Sequence, residues 1–365
     1  MKNNEAIIYH VITNFTVLGG AESALIRVIN NSQSTPFKVI SLMAKSLDMV
    51  DRITHPNCEV IALGANNALS LLRTAFKLAE NINEDAPLKA YSWMYHANAI
   101  SAMASLLSFK KAPLVWGVRH SLDDYSGEKK STKLAIQISK LLKFVPDKVI
   151  YCSQKAQMQH EQFGYNSPCK SVYVPNGYAF HDLQAKNYNN TPIVLGAAGR
   201  FHEAKDYRTL FKVVKRLKAQ SLSVDLRVCG RGMSEQNEAL IALLDSVGLS
   251  LEDLTLLGEV NDMPSFYQGL DVFILSSKTE GFPNVLAEAA SYGCAVFSTD
   301  VGDAPYIINN SDHIAPIKDD VKLAGCIARF ISLPPEDREK VALKTTMHVR
   351  KNFSIKTIAR RFLEV

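Results

Sequence analysis

Asp271-Val-Phe-Ile-Leu-Ser-Ser277, followed by Glu280-Gly-Phe-Pro-Asn-Val-Leu-Ala-Glu288, is the stretch that decides the architecture of this chain. The apolar run 271–277 predicts a short buried strand, and the residues from Asn284 to a stop at Gly293 predict a helix. A strand–turn–helix junction therefore lies between them. Pro283 has the φ of a helix start, and the N–H groups of Asn284, Val285 and Leu286 fall in a first turn without intrahelical partners. Such an end attracts an anion such as phosphate. Glu280 and Glu288 bracket it. A carboxylate beside a phosphate is unfavourable unless it has another task, and hydroxyls of a sugar or ribose would supply one.

Outward from this junction, apolar runs alternate with helical patterns along the whole chain. Strands are predicted at Ile7–Thr13, Lys38–Met43, Glu59–Leu63, Lys89–Met94, Leu114–Arg119, Lys148–Cys152 and Ser171–Val174, with amphipathic segments such as Ala21–Asn31 and Leu69–Glu80 between them. The polar, Asn-rich stretch His181–Thr191 reads as a linker. The pattern then restarts, with strands at Ile193–Ala198, Val224–Cys229, Leu254–Leu257, Val272–Ser276 and Ala295–Ser298, clear helices at Tyr207–Leu217 and Glu235–Val247, and a last helix at Ser354–Glu364. Near-continuous apolar strands alternating with helices indicate α/β domains with parallel sheets covered on both faces. Two doubly wound domains facing across a cleft is the economical architecture, with ligands at the carboxyl ends of the strands.

Composition bounds the function. The 365 residues suffice for two cores, and 47% hydrophobic with 21% charged residues is ordinary for a globular protein. No apolar run approaches the ~20 residues that span a bilayer. The start, Met-Lys-Asn-Asn-Glu-Ala, lacks a signal-peptide pattern. Six scattered cysteines without a Cys-x-x-Cys pair argue for reduced thiols in a cytoplasmic compartment and against a zinc site. A formal charge of +5 does not imply nucleic-acid binding.

Further constellations fall at predicted strand ends. Gly19-Gly20-Ala-Glu22 opens a helix after the first strand, where glycines allow tight turning and close approach to a ligand, or serve as turn chemistry alone. Neither a Gly-x-Gly-x-x-Gly fingerprint nor a Walker A sequence is present, which weakens dehydrogenase and nucleoside triphosphatase readings. After Ile193–Ala198, Arg200 and Lys205 could neutralise a diphosphate, the first as a fork and the second as a point charge, or be solvated surface cations. Gly230, in Cys229-Gly-Arg-Gly232, could let the backbone approach a nucleotide. The chain has no Asp-x-Asp to hold a metal on a nucleotide diphosphate, which fits charge neutralisation by Arg200, Lys205 and a helix N-terminus. His96 and His120 lie near first-domain strand ends, as ligand-binding groups or as structural hydrogen-bonders. Residues 127–148 interleave six lysines with Leu134, Ile136, Ile138, Leu141, Leu142 and Phe144, a pattern that suits an anionic membrane surface or a helix packed on the sheet.

Together and in order, Gly19-Gly20-Ala-Glu22, Tyr95-His96-Ala-Asn98, Val118-Arg-His120-Ser, Val174-Pro-Asn-Gly177, Gly199-Arg200 with Lys205, Leu257-Gly258-Glu-Val260 and Glu280 to Glu288 give the chain a resemblance to the retaining glycosyltransferases of family 4, which have the GT-B fold. The wording Glu-Gly-Phe-Pro-Asn-Val-Leu is similar to bacterial enzymes that build O-antigen, capsule and other surface polysaccharides. The resemblance implies an acceptor-side domain over 1–180, a linker at 181–191, a nucleotide-sugar domain over 192–351, and a final helix, 352–365, packing back on the first domain. It places Arg200 and Lys205 on the donor diphosphate, Glu280 on donor-sugar hydroxyls and Glu288 on the ribose. Backbone at Gly281, Phe282, Pro283, Asn284 and Val285 would meet phosphates or sugar, Gly19 and Gly20 the diphosphate, Gly230 the nucleotide and Val260 the base. His96 would sit beside the transferred sugar, with Asn98, Arg119 and His120 on the acceptor side. The catalytic set is then His96, Arg200, Lys205 and Glu280, with no cofactor and no metal. Implied partners are a nucleotide-sugar donor, UDP-linked ahead of GDP-linked, and a lipid-linked oligosaccharide at the inner-membrane surface. Arg231 between Gly230 and Gly232, and Asp206 after Lys205, depart from the family pattern. The competing readings are a sugar-nucleotide epimerase of the same architecture and a non-catalytic nucleotide-sugar-binding protein.

Overall fold

A computed structural model of the chain describes residues 7–32, 35–123, 125–183, 186 and 188–365. Met1 to Ala6, and Gln184, Ala185 and Asn187 of the expected linker, lie outside these. The fold comprises two compact units, residues up to Ala179 together with Ile355–Val365, and Phe180–Ser354.

The first unit is built on a seven-stranded sheet of β1 (Ile8–Ile12), β2 (Phe37–Ser41), β3 (Cys58–Ala62), β4 (Lys89–Trp93), β5 (Leu114–Val118), β6 (Lys148–Tyr151) and β7 (Ser171–Tyr173), in the order β3-β2-β1-β4-β5-β6-β7. Every pairing is parallel. All five residues of β1 are buried, because helices cover both faces. Tyr9 and Val11 join one core with Trp116 and the helices Ala68–Asp85, Tyr95–Leu107 and Lys130–Leu141. Ile8 and Ile12 join the opposite core with Trp93, the helix Gly20–Asn30 and the C-terminal helix Ile355–Glu364. Phe362 of that last helix stacks on Trp93 with centroids 5.0 Å apart, and Tyr91 Oη donates to the Leu363 carbonyl at 2.8 Å.

The second unit repeats the pattern with six parallel strands: β8 (Ile193–Ala198), β9 (Val224–Cys229), β10 (Leu254–Leu256), β11 (Val272–Leu275), β12 (Ala295–Thr299) and β13 (Ile314–Ala315), in the order β10-β9-β8-β11-β12-β13. Strand β13 escaped the sequence reading because two residues carry no periodicity. The helix expected at Leu69–Glu80 runs on from Ala68 to Asp85. Its polar last turn is a weak helix former, but Ile82 is buried, and Asp85 Oδ2 accepts from Tyr9 Oη at 2.5 Å and Lys38 Nζ at 2.6 Å. The lysine-rich segment folds as the helix Lys130–Leu141, which buries Ala135, Ile136 and Ser139 and leaves Leu134, Leu141 and the following Phe144 exposed. No helix among the described residues is long and apolar enough to cross a membrane.

Candidate functional site

In each sheet the chain runs outward one way and then returns to start the other half, so a topological switch point lies between β1 and β4 and between β8 and β11. Loops leaving such neighbouring strands diverge, and the crevice between them is where open α/β sheets bind ligands.

In the second unit the two loops carry the charged candidates. Lys205 ends the turn Glu203–Lys205 after β8, and its Nζ donates to Glu280 Oε1 at 2.6 Å. Ser277 Oγ, just beyond β11, donates to the same oxygen at 2.8 Å. Two more bonds stitch the loops: Ser276 Oγ to the Lys205 carbonyl at 2.9 Å, and Lys278 N–H to the Ala204 carbonyl at 2.8 Å. The ion pair is about four-fifths buried, with side-chain exposures of 23% for Lys205 and 16% for Glu280. Arg200 is exposed and pairs with no carboxylate among the described residues.

The turn carrying Glu280 rests on Gly302. At φ +49°, a Cβ on Gly302 would lie 2.1 Å from the Gly281 carbonyl oxygen, and Asp303 N–H donates to that oxygen at 3.1 Å. Gly230 has a similar constraint. Its φ is +134°, a Cβ there would lie 2.1 Å from the Gly199 carbonyl oxygen, and its N–H donates to the Gly258 carbonyl at 2.6 Å. Close packing of the ends of β8, β9 and β10 thus demands glycine at 230 with or without a ligand. Val260 lies half-buried in the loop after β10, and Arg231 is exposed.

The junction helix spans Asn284–Ser291, and Gly281 is partly buried in the turn before it. Phe282 and Pro283 are buried, with Phe282 edge-on to Phe353 at 5.4 Å. Of the three amides expected at its start, that of Leu286 is used internally, donating to the Pro283 carbonyl at 3.1 Å. Glu288 is half-buried on this helix and accepts a hydrogen bond from Tyr267 Oη at Oε2, 3.0 Å.

The first unit uses the same positions differently. Gly19 and Gly20 are exposed, but Gly19 has φ −121°, extended backbone that any residue adopts, so the expected need for glycine in a tight turn does not hold there. The carboxylate of the chain's own Glu22, in the first turn of the helix Gly20–Asn30, lies against this helix start, and burial raises its pKa above the ordinary value. After β4, Met94 takes φ +73°, a strained conformation for a non-glycine residue, and the helix Tyr95–Leu107 begins. His96 follows, half-buried, with its pKa lowered by burial. It lines a groove of about 620 Å³ whose walls include Leu71, Leu72, Met103, Leu134 and Ile138.

Two of the acceptor-side candidates find their partners inside the first unit. Asn98 is fully buried: its carboxamide accepts from Ser92 Oγ at 2.7 Å and donates to Tyr165 Oη at 3.0 Å and the Gly117 carbonyl at 3.4 Å. It ties β4 to β5 inside the core. Arg119 donates from Nη1 to Asn176 Oδ1 at 2.8 Å and lies over Trp93 and Phe362, 4.8 and 5.5 Å from their ring centroids, so it braces the C-terminal helix. His120 stays at the strand end, 45% exposed, with Nε2 2.8 Å from Glu128 Oε1.

Three residues at the charged site were not singled out from sequence. Ser277 closes the apolar run 271–277 and Gly302 follows the strand predicted at Ala295–Ser298, positions that could have flagged them. Tyr267 carries no local signal, because its partner lies on another element. Among the described residues no group of three or more His, Cys, Asp or Glu could hold a metal ion.

Residues 192–332 match the sequence profile of a family described as "Glycosyl transferases group 1". Among similar curated proteins is the capsular polysaccharide biosynthesis glycosyltransferase CapH of Staphylococcus aureus, 23% identical over 211 residues, 56% of this chain and 58% of that protein. Another is the putative colanic acid biosynthesis glycosyltransferase WcaL of Salmonella typhimurium, 27% identical over 187 residues, 47% of this chain and 44% of that protein. The chain thus spans about half the length of the curated relatives it matches. Among solved structures, Anabaena HepE in complex with UDP and glucose superposes with a TM-score of 0.77 at 18% identity, covering 98% of both chains. The lipopolysaccharide outer core galactosyltransferase WaaB in its apo form gives 0.79 at 17% identity, again over 98% of both. The fold, two parallel-sheet α/β domains, is that of the GT-B glycosyltransferases.

Proposed function

We propose that this chain is a retaining glycosyltransferase that moves a hexose or N-acetylhexosamine from a nucleotide sugar, UDP-linked ahead of GDP-linked, to a lipid-linked glycan in bacterial surface-polysaccharide synthesis of the O-antigen or capsule type. The observation that carries the reading is the Lys205–Glu280 pair, held by Ser277 at the β8/β11 switch point. It puts a cation for a diphosphate and a carboxylate for sugar hydroxyls within one hydrogen bond of each other. The UDP complex of the structurally similar HepE supports a UDP-linked donor, and the names of the capsule and colanic acid relatives support the pathway class.

Breaking the bond between the anomeric carbon and the phosphate oxygen leaves negative charge on the diphosphate and oxocarbenium character on the sugar. Lys205, Arg200 and the start of the helix Asn284–Ser291 offset the first charge. As the diphosphate takes over Lys205, Glu280 is released to accept from donor-sugar hydroxyls, while Ser277 holds its orientation. The acceptor oxygen then bonds the anomeric carbon from the face the phosphate leaves, and the acceptor proton passes to the departing phosphate oxygen. No carboxylate nucleophile and no metal enters this scheme. Glu288 takes the ribose, and Val260 with Gly230 the base. His96 and His120 are assigned to the acceptor side, where the imidazole of His96 stays neutral because its pKa is lowered by burial. The apolar groove beside His96 supports an acceptor with an apolar portion, and exposed Leu134, Leu141 and Phe144 among the lysines of 127–148 support contact with an anionic membrane surface.

The test is incubation with a panel of UDP- and GDP-sugars, with and without a lipid-linked saccharide, following nucleotide release and the anomeric configuration of the product. Acceptor-dependent release with retained configuration is expected. Inverted product overturns retention, sugar conversion from donor alone identifies an epimerase, and no release with any pair overturns transfer.

A further inference from the structure

The carboxylate assigned to the ribose does not stand alone. Tyr267 is fully buried in the short helix Met263–Gln268, and its hydroxyl reaches Glu288 on another element. The tyrosine is fixed along its whole length. Its ring stacks on Tyr292 with centroids 5.8 Å apart and planes 22° from parallel, and meets Phe273 edge-on at 5.8 Å. Its carbonyl accepts from Lys186 Nζ at 2.9 Å and from Cys294 Sγ at 3.2 Å, and the same ammonium also bonds the Leu270 carbonyl. Burial, and next the Glu288 charge, hold the phenol well above its ordinary pKa, so it remains a donor at any working pH.

We propose that Tyr267 is a positioning residue for the nucleotide's ribose: by donating to Glu288 Oε2 it fixes which carboxylate lone pairs face the ribose hydroxyls. The inference rests on the donor reading above and adds the residue that enforces ribose selectivity. A half-buried carboxylate on a helix can rotate about its terminal torsion, which is broad for Glu. A rigid donor on one oxygen removes that freedom and aims the acceptor geometry before the ligand arrives. Ribose hydroxyls lie away from the bond being broken, so the effect belongs to donor binding and not to the chemical step.

Tyr267→Phe deletes one oxygen and keeps the ring and its stacking, and a melting curve checks that the variant folds. Titration calorimetry on the full chain with UDP and GDP, and with their 2′-deoxy and 3′-deoxy forms, reads the selectivity. Wild type is expected to prefer the ribose form by about tenfold or more, the size of a hydrogen bond to a charged group. Tyr267→Phe should lose most of that ratio and raise KM for the donor with kcat held. Glu288→Gln should lose it too, and adding the Phe substitution to that variant should change nothing further. A merely structural tyrosine would lower the melting temperature and leave the ratio intact, and that result overturns the inference while sparing the donor reading. Wild type that binds the ribose and deoxy forms equally also overturns the inference alone. Wild type that binds no nucleoside diphosphate overturns both.

Discussion

The two units share one topology and differ in what they place at its switch point. After β8 and β11, Lys205, Glu280 and Ser277 make a charged cluster bonded across two loops. After β1 and β4, the helix start already carries the Glu22 carboxylate, and His96 faces a groove walled by leucine, isoleucine and methionine. A doubly wound sheet fixes where a site lies, and a handful of loop residues decides whether that place suits a diphosphate or an apolar molecule. The division fits one unit serving a charged donor and the other a less polar acceptor.

The largest effect that could break this division is on Lys205. Lys205→Ala should lower turnover by roughly 10²–10³-fold, the range seen when one preorganised charge-stabilising group is removed. Glu280 keeps its Ser277 bond in the variant, so folding should be intact. Steady-state kinetics beside a melting curve checks both, and wild-type turnover would remove the chemistry from this cluster.

Acid should separate the units next. His10 is fully buried in the first unit, with Nδ1 accepting from Trp93 Nε1 at 3.1 Å, and burial pushes its pKa down to about 3. His160 is held down to about 4 by burial, with Tyr95 Oη 2.8 Å from its Nε2. Unfolding lets both rise toward 6.5, so below that pH the unfolded chain binds protons the folded unit refuses, and stability falls as pH falls through the window from 6.5 toward 4. Each group contributes roughly 1.4 kcal/mol per pH unit across its window. In the second unit His313 is lowered in the same way, by burial. Hydrogen exchange at pH 7.0 and 5.5 should therefore show the β1–β6 amides losing more protection than those of β8–β12, and equal losses would contradict this.

Asn98→Ala is expected to be smaller and purely structural. It strands the Ser92 hydroxyl inside the core, which costs about 1–3 kcal/mol, while the Gly117 carbonyl keeps its bond from the Met94 N–H at 2.9 Å. Nucleotide affinity, measured by calorimetry at a temperature where the variant is folded, should stay at the wild-type value. Asn98 also marks the limit of what the sequence discloses. Apolar runs disclosed twelve of the thirteen strands among the described residues, since a strand buried on both faces must be apolar, and cations and carboxylates at strand ends pointed to the charged cluster. Partner choice was not legible. Tyr–His–Ala–Asn reads alike whether Asn98 faces a ligand or ties β4 to β5, because only packing sets the side chain's direction. Tyr267 and Glu288 are 21 residues apart on different helices, and no local pattern records their bond.

The smallest predicted effect concerns Gly19, and it compares the two units most directly. Gly302 supports the Glu280 turn at a left-handed φ with backbone oxygens in the way of any side chain. Gly19 occupies extended backbone, and the atom a Cβ would meet at 2.6 Å is Oε2 of Glu22, the far end of a flexible side chain. Gly19→Ala should thus cost no more than about 1 kcal/mol, since alanine ranks below glycine at an N-cap and the restriction of the unfolded chain offsets part of the loss. If the exposed glycines of the first unit approach the donor diphosphate, the added methyl should weaken nucleotide binding while the melting temperature holds. If the Glu22 carboxylate already excludes an anion from that helix start, binding should not change. Calorimetry on Gly19→Ala, with Glu22→Gln as the companion variant that removes the resident charge, separates the two. Tighter nucleotide binding in Glu22→Gln would show the resident carboxylate and the donor competing for one helix end.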